Sequence, residues 1–151
     1  MPKVTKNDIP SSRVYPVAET FMSNNTVNYF YNTGTNGITY HSEIYPCEDL
    51  TEEEFKVASL FANTLTDVGV GGKSFEEMQK IQSAVTGGIS ASFILVPDNN
   101  NSYSLALQVS SKSLEKNELQ MQELIASTVS KSKFNEKLSL IHISEPTRHR
   151  G

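Results

Sequence analysis

Tryptophan is missing from this 151-residue chain and cysteine occurs once. The single Cys47 excludes an internal disulfide and any zinc site built from several thiolates. No run approaches the roughly 18 consecutive apolar residues of a membrane span. Basic residues are outnumbered: 13 Lys and Arg against 17 Asp and Glu give a net charge of −4 and a pI near 5.4. That balance argues against a nucleic-acid binder, which normally carries a basic face. The opening MPKVTKNDIP lacks the apolar stretch of a secretory signal. A reducing, cytoplasmic setting is therefore the default expectation. What remains is ordinary for a soluble globular protein, 37% hydrophobic and 20% charged, at a length that suggests one domain.

Residues 1–26 are polar and interrupted by Pro2, Pro10 and Pro16, and read as an extended lead-in or linker. TVNYFYN at 26–32 is rich in β-branched and aromatic residues and reads as a strand. TGTNG at 33–37 is a turn in which Gly and Asn supply positive φ. ITYHSEIY at 38–45 returns as a second strand. Period-two alternation puts Ile38, Tyr40, Ser42 and Ile44 on one face, expected to be the core face, and leaves His41 and Glu43 on the wet one.

Two helices follow. Over 50–69, Thr51 and Glu54 form a T-x-x-E capping box, and Ala58, Phe61, Ala62 and Leu65 recur at helical spacing. Ser74 and Glu77 open the next helix, whose expected inner face is Met78, Ile81 and Val85. Gly87 and Gly88 then end that helix and turn the chain into a strand, a structural joint in which at least one glycine is expected at positive φ. Strands are expected at 89–96 and 103–110, linked by a polar hairpin loop. In the second, Tyr103, Leu105, Leu107 and Val109 alternate on one buried face. A last helix over about 115–133 carries Met121, Leu124, Ile125, Thr128 and Val129. The fold class is α+β: a β-β-α-α-β-β-α sandwich, mostly antiparallel sheet with helices packed on one face.

Candidate chemistry is thin. His41-x-Glu43 with Pro46-Cys47 superficially matches a zinc-deaminase signature, but the spacer is too short and the second cysteine is missing. GVGGK at 69–73 ends in G-K-S with Ser74, yet Asp67 stands where the phosphate loop requires glycine, and a helix precedes it where a strand should. No G-x-S-x-G elbow occurs. Cys47 reads as a small apolar filler. Glu52, Glu53 and Glu54 complement a helix macrodipole. The chain is thus expected to hold no catalytic residue and no metal ligand.

Four segments, NDIP (7–10), TNGI (35–38), KSFEEM (73–78) and TGGIS (86–90), occur in order and at suitable spacing. Together they resemble the insulinase-like, or pitrilysin-like, zinc metallopeptidases, in particular the presequence-protease and falcilysin branch, over residues 7–135. The resemblance implies the start of the second, non-catalytic half of such an enzyme. In that family the first half carries H-x-x-E-H on the first helix after two strands. The matching positions here, counted back from the glycine after the helix, are Leu60, Phe61, Ala62, Asn63 and Thr64. Leu60 and Thr64 replace the zinc histidines and Asn63 replaces the glutamate that activates water. The resemblance therefore implies an inactive fragment of a cytoplasmic, bacterial, peptide-degrading enzyme. It needs no cofactor of its own, although the intact family enzyme uses zinc. Its implied partners are the catalytic half and a sister domain of the same enzyme and, in the intact enzyme, a peptide, with no nucleic acid and no membrane. It would form part of the wall of the peptide chamber. An independent α+β interaction domain without activity, or a peptidase-derived subunit kept for assembly, are the alternatives.

The C-terminal LSLIHISEPTR (138–148) resembles the conceptual translation of a sequencing-library adapter. Residues 138–151 are accordingly expected to be an artefactual tail, which withdraws His142 and His149 from any functional argument. The domain proper is expected at 27–137, truncated near Lys137.

Overall fold

A computed structural model describes residues 5–131 apart from 13, 48, 49 and 68. The tail assigned to 138–151 lies outside the described residues. The chain divides between Asn36 and Gly37 into two units.

The first unit holds a short 3-10 turn, Lys6–Asp8, and an antiparallel hairpin of β1 (Glu19–Ser23) and β2 (Thr26–Phe30). Asp8 Oδ2 accepts from the Thr5 amide at 2.7 Å and the Thr5 hydroxyl at 2.8 Å, which fixes the turn. The hairpin turn is Asn24-Asn25, with φ of 48° and 60°. Positive φ at both central residues is the mirror-type turn whose twist suits two paired strands, and asparagine tolerates it better than most residues. The stretch read as a lead-in thus contains a strand, and the strand predicted at 26–32 pairs with 19–23. Asn36 and Gly37 do take positive φ, 54° and 76°.

The second unit is a three-stranded antiparallel sheet in the order β3 (Ile38–Pro46), β5 (Tyr103–Leu114), β4 (Ile89–Pro97), with helices α1 (Glu52–Leu65), α2 (Phe75–Val85) and α3 (Glu118–Lys131). With the hairpin it makes an α+β chain of order β-β-β-α-α-β-β-α. The core forms where α1 and α3 meet the sheet. Ala62 and Leu65 of α1 and Met121 and Ile125 of α3 close on Ile89, Leu107 and Val109.

Register sets which side of each strand meets the helices. Val109 is fully buried and pairs with Ala91 on one side and Glu43 on the other. Paired residues share a face, so Glu43 lies on the helix-bearing side, together with His41 and Tyr45. The expected phase of β3 is therefore reversed: Tyr40 and Ile44 are 65% and 52% exposed. A one-residue change of phase turns every side chain of a strand over. Here β3 is an edge strand, the helices centre on β4 and β5, and Tyr45 and Cys47 supply the contacts to the core. The apolar weight of Ile38, Tyr40 and Ile44 is outvoted.

Strand β5 also runs four residues beyond the predicted end, through buried Ser111 and Ser113. Serine survives there because each hydroxyl finds a carbonyl, Ser111 on Gly88 at 2.8 Å and Ser113 on Leu114 at 3.1 Å. A 3-10 turn, Glu115–Asn117, then leads into α3. Asn117 Nδ2 donates to the Val85 carbonyl at 3.3 Å, satisfying an end of α2 that its own helix cannot.

Both capping boxes form. The Glu54 amide donates to Thr51 Oγ1 at 3.3 Å, and Glu54 Oε2 accepts from the Thr51 amide at 2.8 Å and hydroxyl at 2.7 Å. Ser74 and Glu77 repeat the exchange for α2. The Thr51 hydroxyl and amide hold the Glu54 carboxyl below its ordinary pKa. A depressed carboxylate lends stability that is complete above the unfolded value, about 4.3, and is lost as pH falls through the lowered one. Glu54→Gln should therefore lower the melting temperature near neutrality, and the gap to the parent should close in acid. Thermal melts followed by circular dichroism across that range test this; a gap independent of pH contradicts it.

Candidate functional site

The positions that replace a zinc motif lie on α1. Ala58, Ala62 and Leu65 turn that helix toward the sheet and are buried, whereas Leu60 and Thr64 are half-buried and Asn63 is exposed. The Thr64 hydroxyl donates to the Phe61 carbonyl at 3.0 Å, so it is occupied by its own helix. A leucine, a neutral amide and an engaged hydroxyl do not fit zinc, which takes thiolate, imidazole or carboxylate donors. Among the described residues, no group of three or more His, Cys, Asp or Glu is placed to hold a metal ion.

The most concentrated polar arrangement lies on β3. Glu43 Oε1 is 3.1 Å from His41 Nε2, and Glu43 Oε2 accepts from the Tyr45 hydroxyl. His41 and Glu43 are only 28% and 27% exposed. Sequence reasoning sets the first two on a solvated face and does not single out Tyr45; the available signal is the period-two spacing H-x-E-x-Y. Both oxygens of Glu43 are engaged, and Ser111, paired with His41 across the ladder, gives its hydroxyl to Gly88. A base needs a nucleophile or a substrate proton within reach, so this trio ties down an edge strand.

Burial pushes the Tyr45 hydroxyl above the ordinary tyrosine range, with the hydrogen bond to Glu43 and that carboxylate's charge adding to it. A raised pKa gives stability that is complete below the unfolded value, about 10, and is lost as pH rises toward the folded one. Tyr45→Phe should flatten the alkaline limb of the stability profile. Melting temperatures between about pH 8 and pH 11 check this; an unchanged limb speaks against it.

The Gly87-Gly88 joint sits where α2 meets β4. The Thr86 amide and hydroxyl both donate to the Gln82 carbonyl, at 2.7 and 3.0 Å, and stop the helix. The Gly87 amide donates to the Lys112 carbonyl at 2.7 Å and the Gly88 amide to Thr86 Oγ1 at 3.0 Å. Gly88 has a φ of 103°, open to glycine and strained for other residues. The loop at 69–73 joins α1 to α2, with Gly71 and Gly72 at φ of 57° and 89° and the Lys73 amide closing on the Val70 carbonyl at 3.0 Å. Cys47 is half-buried against the core, and its amide extends the β3–β5 ladder to the Leu105 carbonyl at 2.9 Å.

Comparison with known proteins adds what the geometry does not carry. A family described as peptidase-associated, tied to subfamily C of metallopeptidase family 16, matches residues 1–149. The chain is similar to mitochondrial presequence proteases of three organisms. Identity is 26% over 140 residues with that of Drosophila melanogaster, covering 90% of this chain and 13% of the relative. It is 28% over 97 residues for Gibberella zeae, covering 64% and 10%, and 27% over 116 residues for Aspergillus oryzae, covering 76% and 11%. The chain thus spans 10–13% of the length of these relatives.

Proposed function

We propose, from the premise that this chain belongs to the peptidase-associated family of metallopeptidase family 16, subfamily C, that it is a non-catalytic part of a longer zinc-dependent peptidase. The observation that carries the reading is the family match across 1–149, set against relatives of which the chain covers 13% or less. The chemistry of α1 supports it: where a related half would bear two histidines and a glutamate, Leu60, Asn63 and Thr64 can neither ligate zinc nor activate water. In the intact enzyme the partners are a catalytic half and a sister domain, and the substrate is a peptide. This unit contributes a wall to the chamber that encloses it. Zinc belongs to the catalytic half. We place the enzyme in the cytoplasm, while the curated relatives carry a mitochondrial designation in their names.

The test is the surrounding gene. Its reading frame should extend upstream into an H-x-x-E-H sequence, and the longer product should bind zinc stoichiometrically and cleave unstructured peptides. The 151-residue chain should do neither, by metal analysis and a quenched-peptide assay. Stoichiometric zinc on the short chain, with peptide cleavage lost on chelation, would overturn the assignment. So would flanking start and stop signals with no upstream zinc motif.

A further inference from the structure

Strand β5 carries an alternating apolar face that outlasts its cover. Leu107 and Val109 are 7% and 0% exposed, yet Tyr103, two steps before Leu105 on the same face, is 69% exposed. Its neighbour across the ladder follows suit: Leu95, paired with Leu105, is 65% exposed. The mismatch has a simple length argument. Twelve strand residues extend about 40 Å, whereas a 14-residue helix such as α1 or α3 is about 21 Å long. The helix layer covers one end of the sheet and leaves the other bare. At the bare end, Leu95, Tyr103 and Leu105 join Cys47, Leu50 and Phe55 around an open groove of about 380 Å³. Phe55, in the first turn of α1, is 59% exposed.

An alternating strand face is written for burial, and the described residues supply no cover here. None of the groove's described lining residues is charged. Depletion of charge with enrichment of aromatic and large aliphatic side chains marks a permanent, core-like interface more than a transient polar one. The curated relatives extend far beyond the region this chain covers, 13% of the fly protein. We propose that this groove is the seat of an uncharged, apolar segment from elsewhere in the same polypeptide, which completes the core that Tyr103 and Leu95 begin. The proposal rests on the reading that the chain is part of a longer protein.

The experiment compares one substitution in two settings, the 151-residue chain and the product of the full natural reading frame. Hydrogen exchange is measured at the amides of residues 94–96 and 103–106, with and without Leu95→Glu. The groove amides should exchange more slowly in the longer protein than in the short chain. Leu95→Glu should abolish that extra protection while leaving exchange in the short chain unchanged. Phe55→Ser, on the opposite wall, should do the same and guards against an effect local to β4. Equal protection in both settings would overturn the proposal, as would a Leu95→Glu effect of the same size in each. Concentration-dependent protection in the short chain, removed by Leu95→Glu, would assign the groove to a second copy and equally overturn it. The reading of the longer protein itself is decided separately, by the gene, so the two can fail independently.

Discussion

Truncating Ile125 to alanine should cost about 2–5 kcal/mol, the range for removing a large aliphatic side chain from a packed core. Ile125 is fully buried on α3 and belongs to the cluster with Leu65, Leu107, Val109 and Met121. That cluster is where α3 is held to β5 and α1 to the same face of the sheet. The site cannot relax easily, because helices and strands close on it from both sides. Alanine's better helix propensity offsets only a few tenths of a kcal/mol. Domains are commonly stable by about 5–15 kcal/mol, so the loss would be a large share of the total. Urea titration followed by circular dichroism measures it. Leu119→Ala, earlier on the same helix and 75% exposed, serves as the control and should change stability by about 0.5 kcal/mol or less. Equal losses at the two positions would mean that α3 is not packed as described.

Gly88→Val should be the next most damaging change, and Gly87→Ala a mild one. The two neighbours differ for separable reasons. Nothing lies within 4 Å of a Cβ built on Gly88, so space is not the problem; its φ of 103° is. Forcing a β-branched residue into that region costs about 1–3 kcal/mol. At Gly87 the backbone is not in the left-handed region, and a Cβ would meet Lys112 Cε at 2.9 Å. That contact is the far part of a flexible, exposed side chain, which can swing away. Denaturant midpoints for the two variants should therefore separate clearly, with Gly88→Val lower. If Gly87→Ala proved the worse of the pair, the joint would depend on packing against β5 and not on backbone conformation.

The joint and the zinc-motif replacement together describe a unit with a scaffold role. Leu60, Asn63 and Thr64 lie on a helix whose buried stripe holds the sheet. The His41–Glu43–Tyr45 trio, the most enzyme-like grouping among the described residues, is closed on itself by its own hydrogen bonds. Polar groups are arranged to satisfy neighbours, as Asn117 does for α2 and Ser111 for Gly88. Among the described residues no buried side-chain nitrogen or oxygen lacks a partner. A unit of this kind positions other parts of a protein, consistent with the role proposed for it.

Local chemistry is readable in one dimension. The Thr51–Glu54 and Ser74–Glu77 boxes depend on residues three apart, so their spacing announces both helix starts. Gly88 marks a backbone turn because only glycine enters that region freely. The stripe Met121, Leu124, Ile125, Thr128 and Val129 repeats at the helical period and so names the inner face of α3. The hairpin turn at Asn24-Asn25 carries its own signal, masked in the sequence by Pro2, Pro10 and Pro16, which dominate the stretch. Two decisions depend on partners distant in sequence. Which face of β3 meets the helices follows from its register on β5, far along the chain; Ile44 and Tyr45 are each apolar enough to lead, and only the position of Val109 opposite Glu43 breaks the tie. How far the alternating face of β5 is buried likewise depends on the reach of α1 and α3, a length in space that no periodicity encodes. Alternation marks a side chain as suited to burial; the helix laid over it decides whether burial occurs, which is why Val109 is sealed and Tyr103 stands open.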